Sequence, residues 1–396
     1  MSDLRWAAAA AAGLLVLACV AELLARWRIR HRNLYYVFPP GLRMLLHPHP
    51  VVSIRLESSI RFEVNSEGER GGEVPHLPSG EKLYRALVVG GSQPEGYLLD
   101  QDTNWPGALQ RLLQTPQHLM RLGASKVHVG SIARSGVDSE ALGLILERVL
   151  PRYDRLQAII VLVGASDVLR WLEQGAPPCP PAPARTPDLF RWHPELAFGW
   201  TPQRLALLES IRRLRRRWLR PVEVHEGTGE WIRKARAMRA RAKVLCTTMP
   251  DAAPMLDNFE RRFAWVLRKA KTYADRVLVV RQPWFDRECT PEEAAQMWHG
   301  GVGQAWREEV TTFYSLDVLS RLMAVLDAKA VRVAEDLGVE HLDLRPILEP
   351  SLENYYDFFH ATPAAARLVA AAVAMAVVRQ PLPSAKRSET SIRVSA

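Results

Sequence analysis

Gln157-Ala158-Ile159-Ile160-Val161-Leu162-Val163-Gly164 is the stretch whose reading decides the fold. From Ala158 to Val163 there is no polar residue, so a strand built from it is apolar on both faces. A strand at the edge of a water-facing sheet alternates instead. A run of this kind needs cover on both sides, which helices supply to the central strand of a parallel sheet. It closes on a glycine, where a chain leaving the sheet can turn sharply.

Outward from this run, short apolar segments alternate with amphipathic ones. Tyr84–Gly90 and Lys126–Val129 read as strands, with helices expected over Trp105–Gln114 and Ser139–Leu150. Downstream, strands are expected at Lys243–Thr247, Arg276–Val280 and Val339–Leu344. Helices are expected at Asn258–Tyr273, Leu316–Leu337 and Pro363–Val378, the last with proline at its first position, where the missing N–H costs nothing. This alternation is the pattern of a doubly wound α/β domain, assigned to residues 81–380. It fails between about 173 and 242. There a spacer, Pro177-Pro178-Cys179-Pro180-Pro181-Ala182-Pro183, is followed by Trp192, Trp200 and an arginine-rich helix. That segment reads as an insertion serving as a lid, a partner surface or a membrane-facing patch.

Composition bounds the remaining choices. The 396 residues are 48% hydrophobic and 24% charged, which excludes global disorder and allows a sizeable core. The net charge of +9 is concentrated in clusters. One holds Arg26, Arg28, Arg30 and Arg32. A second holds Arg212, Arg213, Arg215, Arg216, Arg217 and Arg220. A third holds Arg233, Lys234, Arg236, Arg239, Arg241 and Lys243. Such runs meet phosphates, anionic lipid or acidic polymers, or form solvated helix faces. No zinc-finger spacing or basic-aromatic RNA motif accompanies them, so nucleic acid is not an expected partner. Cys19, Cys179, Cys246 and Cys289 include no CxxC pair, so neither a disulfide framework nor a zinc site is expected.

Residues 1–32 read as a retained membrane anchor with a basic flank, in preference to a cleaved signal peptide or a buried helix. Trp6–Ala25 carries one ionisable group, Glu22, and as a helix it spans about 30 Å, the thickness of a bilayer's hydrocarbon core. Residues 33–80 read as a connector broken by Phe38-Pro39-Pro40-Gly41 and His47-Pro48-His49-Pro50. The two histidines of that second run fit a stiff exposed turn. Residues 381–396 read as a disordered tail.

Three consecutive strands end in small residues with glycine: Gly90-Gly91-Ser92, then Ser131-Ile132-Ala133-Arg134-Ser135-Gly136, then Gly164-Ala165-Ser166-Asp167. In an open α/β sheet, sites form at these carboxyl ends, where backbone N–H groups can face a developing oxyanion. Small residues also simply fit tight turns, and both readings are open at this point. Asp357-Phe358-Phe359-His360 precedes the last helix. A carboxylate three residues before a histidine can hold Nδ1–H and leave Nε2 toward a nucleophile, for which Ser92 is the candidate. Asp167 is expected to support its turn, Tyr355 and Tyr356 to pack or line a pocket, and Trp298-His299-Gly300-Gly301-Val302-Gly303 to cover the site or form a surface turn. Cys246 and Cys289 have no paired base in sequence.

These motifs resemble the SGNH hydrolase family, the GDSL-type esterases and lipases. The first block appears as Gly90-Gly91-Ser92, with Gly91 in place of the family's aspartate. Gly136 matches the second-block glycine. Gly164-Ala165-Ser166-Asp167 matches Gly-x-Asn-Asp with Ser166 in place of asparagine, and Asp357-x-x-His360 matches the last block. Val64-Asn65-Ser66-Glu67-Gly68-Glu69-Arg70-Gly71 is similar to the lead-in of membrane-anchored members. The resemblance implies a five-stranded parallel sheet of flavodoxin-like type, with Ser92 as nucleophile, His360 as base and Asp357 as its orienter. It implies an oxyanion hole of the Ser92 and Gly136 N–H groups with Ser166 at the asparagine's place, and no metal or organic cofactor. The implied substrate is an acyl ester on carbohydrate or lipid. The arginines after Trp6–Ala25 favour a cytoplasmic domain, whereas the resemblance implies an extracytoplasmic one on a single-pass anchor. A catalytically silent SGNH-like scaffold at the membrane is the alternative expectation.

Overall fold

A computed structural model describes residues 2–31, 34–179, 185–191, 193, 205–216, 220–225 and 227–379. The tail 381–396, Arg32, Trp192, Trp200 and Arg217 lie outside them. In chain order the strands are β1 (Arg43–His47), β2 (Ile60–Glu63), β3 (Leu83–Gly90), β4 (Lys126–Ser131), β5 (Leu156–Leu162), β6 (Val222–His225), β7 (Val244–Cys246), β8 (Ala274–Val280), β9 (Thr312–Tyr314) and β10 (Glu340–Leu342).

The apolar run is β5, and it is the middle strand. The main sheet runs β10-β8-β5-β3-β4, and every pairing in it is parallel. Ile159, Ile160, Val161 and Leu162 are fully buried, as a strand covered on both faces must be. Helices Ser139–Val149, Ala253–Tyr273 and Leu316–Asp336 pack side by side, while Trp105–Leu113 packs on Pro363–Val378. By order of appearance in this sheet the strands lie 2-1-3-4-5, the doubly wound order whose direction of winding reverses between β3 and β5. The chain leaves both strands on opposite sides there, opening a crevice at their carboxyl ends.

The helix Pro363–Val378 shows how sequence sets packing. Among its buried residues, Ala366, Val369, Ala370, Val373, Ala374 and Val377 recur at three- and four-residue spacing and form one face against the core. Small side chains let it approach closely. Thr362 caps it by accepting the Ala365 N–H at 3.3 Å, which fixes the start of the helix three residues after His360.

Three segments differ from the sequence reading. Lys243–Thr247 contributes β7, but β7 pairs in parallel with β9 in a separate two-stranded sheet. Its Val244 and Leu245 are half exposed, so this strand lacks the two-sided burial that the main sheet demands. The stretch read as a connector is packed: β2 buries Ile60 and Phe62 in the core while Arg61 points to solvent. β2 pairs antiparallel with β1, which pairs on its other side with β6 from the expected insertion. In that same insertion, helix Thr228–Ala240 is not simply a solvated basic face. Arg236 donates to the carbonyls of Val51 at 2.6 Å, Val52 at 2.9 Å and Gln296 at 3.0 Å. Arg239 donates to those of His299 at 2.6 Å and Tyr314 at 3.0 Å. The guanidinium groups tie loops together, while Arg233 pairs with Glu230 at 2.8 Å on the surface.

Candidate active site

Ser92 is placed by the glycines before it. Gly90 ends β3 with φ +150°, a conformation that side chains rarely adopt, and a Cβ there would land on the Leu162 carbonyl oxygen of β5. The turn lets Gly91 N–H donate to that carbonyl at 3.1 Å. Ser92 then opens a single helical turn, Ser92–Glu95, where its N–H has no carbonyl of the same turn behind it.

The loop after β4 is fastened alongside. Arg134 N–H donates to the Gly90 carbonyl at 3.0 Å, and Ser135 N–H donates to Glu95 Oε2 at 2.7 Å. The Ser135 hydroxyl is bonded to the same carboxylate oxygen. Glu95 is buried and its carboxyl is raised above the ordinary value by burial, against the opposing Ser135 hydrogen bonds. Gly136 follows at φ +75°, and among the described residues its N–H has no protein acceptor.

The lead-in motif braces this region from below. Asn65 Oδ1 accepts the N–H groups of Glu67 at 2.9 Å and Glu69 at 3.0 Å, which curls the segment into a turn. Arg70 then reaches under the turn after Ser92, donating to the carbonyls of Gly96 at 2.9 Å and Leu99 at 2.6 Å and to that of Glu95. Glu69 is fully buried but held by His128 at 2.7 Å, Tyr153 at 2.7 Å and Arg85 at 2.8 Å. Burial would raise this carboxyl, yet His128 and Arg85 keep it well below the usual range.

Asp357 and His360 meet Ser92 across the sheet's carboxyl edge. His360 Nε2 lies 2.7 Å from Ser92 Oγ, and Nδ1 lies 2.7 Å from Asp357 Oδ2 and 2.9 Å from Oδ1. With Nδ1–H donated to the carboxylate, Nε2 is left to accept the Ser92 hydroxyl proton. Asp357 is fully buried. Its Oδ1 also accepts the N–H groups of Phe359 and His360, each at 2.9 Å, and Oδ2 accepts Trp298 Nε1–H at 3.2 Å. Burial opposes its charge, but His360, His299 and these donors keep the carboxyl far below the ordinary aspartate value. Burial likewise works against a charged His360, and the adjacent Asp357 outweighs it, so the imidazole is raised above 6.5.

Trp298 and His299 were legible in sequence only as a glycine-rich loop. In the structure they form the wall behind the carboxylate. Their rings stack with centroids 3.6 Å apart, and His299 packs edge-on to Phe359. Burial pushes the His299 imidazole down to about 3, so it is neutral. Tyr355 is fully buried, while the Tyr356 ring stacks on His360 at 5.4 Å with planes 8° apart. Candidate ligand atoms of His299, Asp357 and His360 lie within 4.8 Å of one another, which is metal-ligand spacing. Both Asp357 oxygens and both His360 nitrogens are already hydrogen-bonded, so an ion there would displace one of these contacts.

The third strand end completes the crevice. Gly164 leaves β5 at φ +141°. Ser166 and Asp167 follow in the first turn of helix Ala165–Glu173. Asp167 accepts Ser139 N–H at 3.1 Å and its hydroxyl at 2.5 Å, so it ties two helix starts together instead of facing Ser92. Burial and the charge of Asp138 push its carboxyl well above the ordinary aspartate value. A Cβ built on Gly91 would stand 3.3 Å from the Val137 carbonyl and 3.8 Å from Ser166 Oγ. The two positions at which this chain departs from the SGNH pattern are therefore neighbours. Among the described residues the Ser166 hydroxyl has no protein hydrogen-bond partner.

No family model and no curated protein matches the chain. The solved structures it is similar to include a catalytic mutant of an acetylxylan esterase from Geobacillus stearothermophilus. That match has 12% identity and a TM-score of 0.41, and it covers 76% of this chain and 95% of the other. An α/β hydrolase from the metagenome of Lake Arreo matches with 11% identity and a TM-score of 0.39, over 77% and 99% of the two chains. A member of the lipolytic G-D-S-L family from Veillonella parvula matches with 9% identity and a TM-score of 0.39, over 75% and 100%.

Proposed function

We propose that this chain is a serine hydrolase of SGNH type that cleaves or transfers acyl esters, with Ser92 as nucleophile, His360 as general base and Asp357 as its orienter. One observation carries the reading: two 2.7 Å contacts link Asp357, His360 and Ser92 in series at the crevice where the sheet's winding reverses. His360 Nε2 takes the hydroxyl proton as Ser92 Oγ attacks the ester carbonyl. The carbonyl π pair moves to oxygen, and the oxyanion faces the N–H groups of Ser92 and Gly136 and the Ser166 hydroxyl. Collapse expels the alcohol, which takes its proton from His360. Water, or a second hydroxyl, then repeats the sequence on the acyl-enzyme and frees Ser92.

The substrate class proposed is an acyl group on cell-envelope carbohydrate or lipid. It follows from the sequence resemblance and from the anchor. Among the described residues one helix is long and apolar enough to cross a membrane, Arg5–Ile29 with mean hydropathy 2.2. Single-pass anchoring with an extracytoplasmic domain is part of the same proposal. Turnover of a panel of acetyl and longer-chain nitrophenyl esters by the full-length protein tests it. Hydrolysis that disappears in Ser92→Ala supports the hydrolase, and hydrolysis that persists in that variant rules out Ser92 as nucleophile. No hydrolysis across the panel, with no transfer to an added sugar hydroxyl, favours the silent scaffold.

A further inference from the structure

Arg212, Arg213, Arg215 and Arg216 of the second arginine cluster lie on helix Ala206–Arg216, which no part of the proposed chemistry uses. Its attachment is specific. Glu22, on the long apolar helix Ser2–His31, accepts the backbone N–H groups of Ala206 at 2.9 Å and Leu207 at 2.8 Å, and pairs with Arg26 at 2.6 Å. Ala206 and Glu22 are both buried at this junction. A carboxylate close to the end of an apolar span is costly unless satisfied, and here the first turn of a second helix satisfies it. The junction lies three residues before Ala25, where the apolar run gives way to Arg26 and Arg28. In a span of this length that position is the headgroup boundary.

Beyond Glu209 the helix is uncovered among the described residues. Ser210, Ile211, Arg212, Leu214 and Arg215 are all exposed, Leu214 to 62%. Leu207, Ile211 and Leu214 recur at four- and three-residue spacing and form one apolar stripe. The one acid on this helix, Glu209, lies 3.7 Å from Arg212. A bare apolar stripe beside arginines, starting at the edge of a membrane span, is the pattern of a helix lying in the interface of an anionic bilayer.

We propose that helix Ala206–Arg216 lies on the anionic phospholipid leaflet from which the N-terminal helix emerges, with Ile211 and Leu214 among the acyl-chain ends and Arg212 and Arg215 at the phosphates. Together the two helices hold the domain in one orientation on the membrane, because a single span would let it rotate and tilt. The proposal rests on Ser2–His31 spanning the bilayer and not on the hydrolase reading.

The test uses full-length protein in nanodiscs and two single-cysteine forms. One keeps Cys19 in the span and the other carries Leu214→Cys, and each is labelled with an environment-sensitive fluorophore. Quenching by nitroxide on the lipid is compared between phosphatidylcholine and phosphatidylglycerol-containing bilayers. Cys19 should be quenched equally in both. Position 214 should be quenched at least about threefold more with anionic lipid, and added salt should reduce the difference. Arg212→Glu with Arg215→Glu should return position 214 to its phosphatidylcholine level and leave Cys19 unchanged. Equal quenching of position 214 in the two lipids, or quenching insensitive to the charge reversal, overturns the proposal. An unquenched Cys19 removes the span and the proposal with it. Ester turnover, read on the same samples, reports separately on the hydrolase reading.

Discussion

The two sides of the candidate site are held to different degrees. On the Asp357 side, each carboxylate oxygen has at least two donors, from His360, Trp298 and two backbone N–H groups. The Ser166 side is sparse by contrast. The Ser166 hydroxyl, without a protein partner among the described residues, lies near Gly91, where the SGNH pattern that the chain resembles has an aspartate. On the proposed reading, such a difference preorganises the proton relay and leaves the proposed oxyanion site one adaptable donor. Preorganised donors aimed at developing charge are usually the largest catalytic term, so the rate should be limited on the sparse side.

Four experiments would break or sharpen that contrast, beginning with the largest effect. Replacing Ser92 with Ala should lower kcat on the order of 10⁶-fold, the loss expected when a serine nucleophile is removed. Asp357→Asn should lower it by about 10⁴-fold, because the amide cannot hold His360 in the tautomer that leaves Nε2 free. A loss under tenfold would mean that the dense side does not act as a relay. Ser166→Ala should cost about 10²-fold if the hydroxyl donates to the oxyanion, and Ser166→Asn should raise kcat above wild type. An unchanged rate in both variants would place Ser166 outside the oxyanion site.

Trp298→Phe is the mildest change, removing one hydrogen bond to a buried carboxylate. It should lower kcat roughly tenfold with little change in KM, and move the acid limb of the pH profile upward, because Asp357 would then hold the proton on His360 more strongly. The sign of that limb follows from the raised imidazole. His360 acts as base only when neutral, so kcat/KM should climb as pH rises through a value above 6.5 and fall away below it. A limb at or below that value would mean that Asp357 does not stabilise the imidazolium.

The same contrast separates what was readable in the sequence from what was not. Burial on both faces writes itself into an apolar run, so β5 and its place in a parallel sheet could be read from Ala158 to Val163. Strand ends carry glycine for steric reasons, and so Gly90, Gly136 and Gly164 marked the crevice. Asp357 and His360 are three residues apart, and a short-range motif survives without knowledge of the fold. Trp298 touches Asp357 from a loop 59 residues away, and nothing in its neighbours announces the contact. The pairing of β1 with β6 joins segments separated by most of the main sheet, and neither strand has enough apolar residues to stand out. Arg236 and Arg239 looked like a charged surface because sequence gives the charge but not the carbonyls it meets.

The most direct test of the central claim is the site and pH dependence of fluorophosphonate labelling of the full-length protein, read by mass spectrometry of its peptides. A single adduct on Ser92 is expected, formed faster as His360 loses its proton and nearly absent in His360→Ala. No adduct at any pH, or an adduct on another residue that forms equally well without His360, would contradict it.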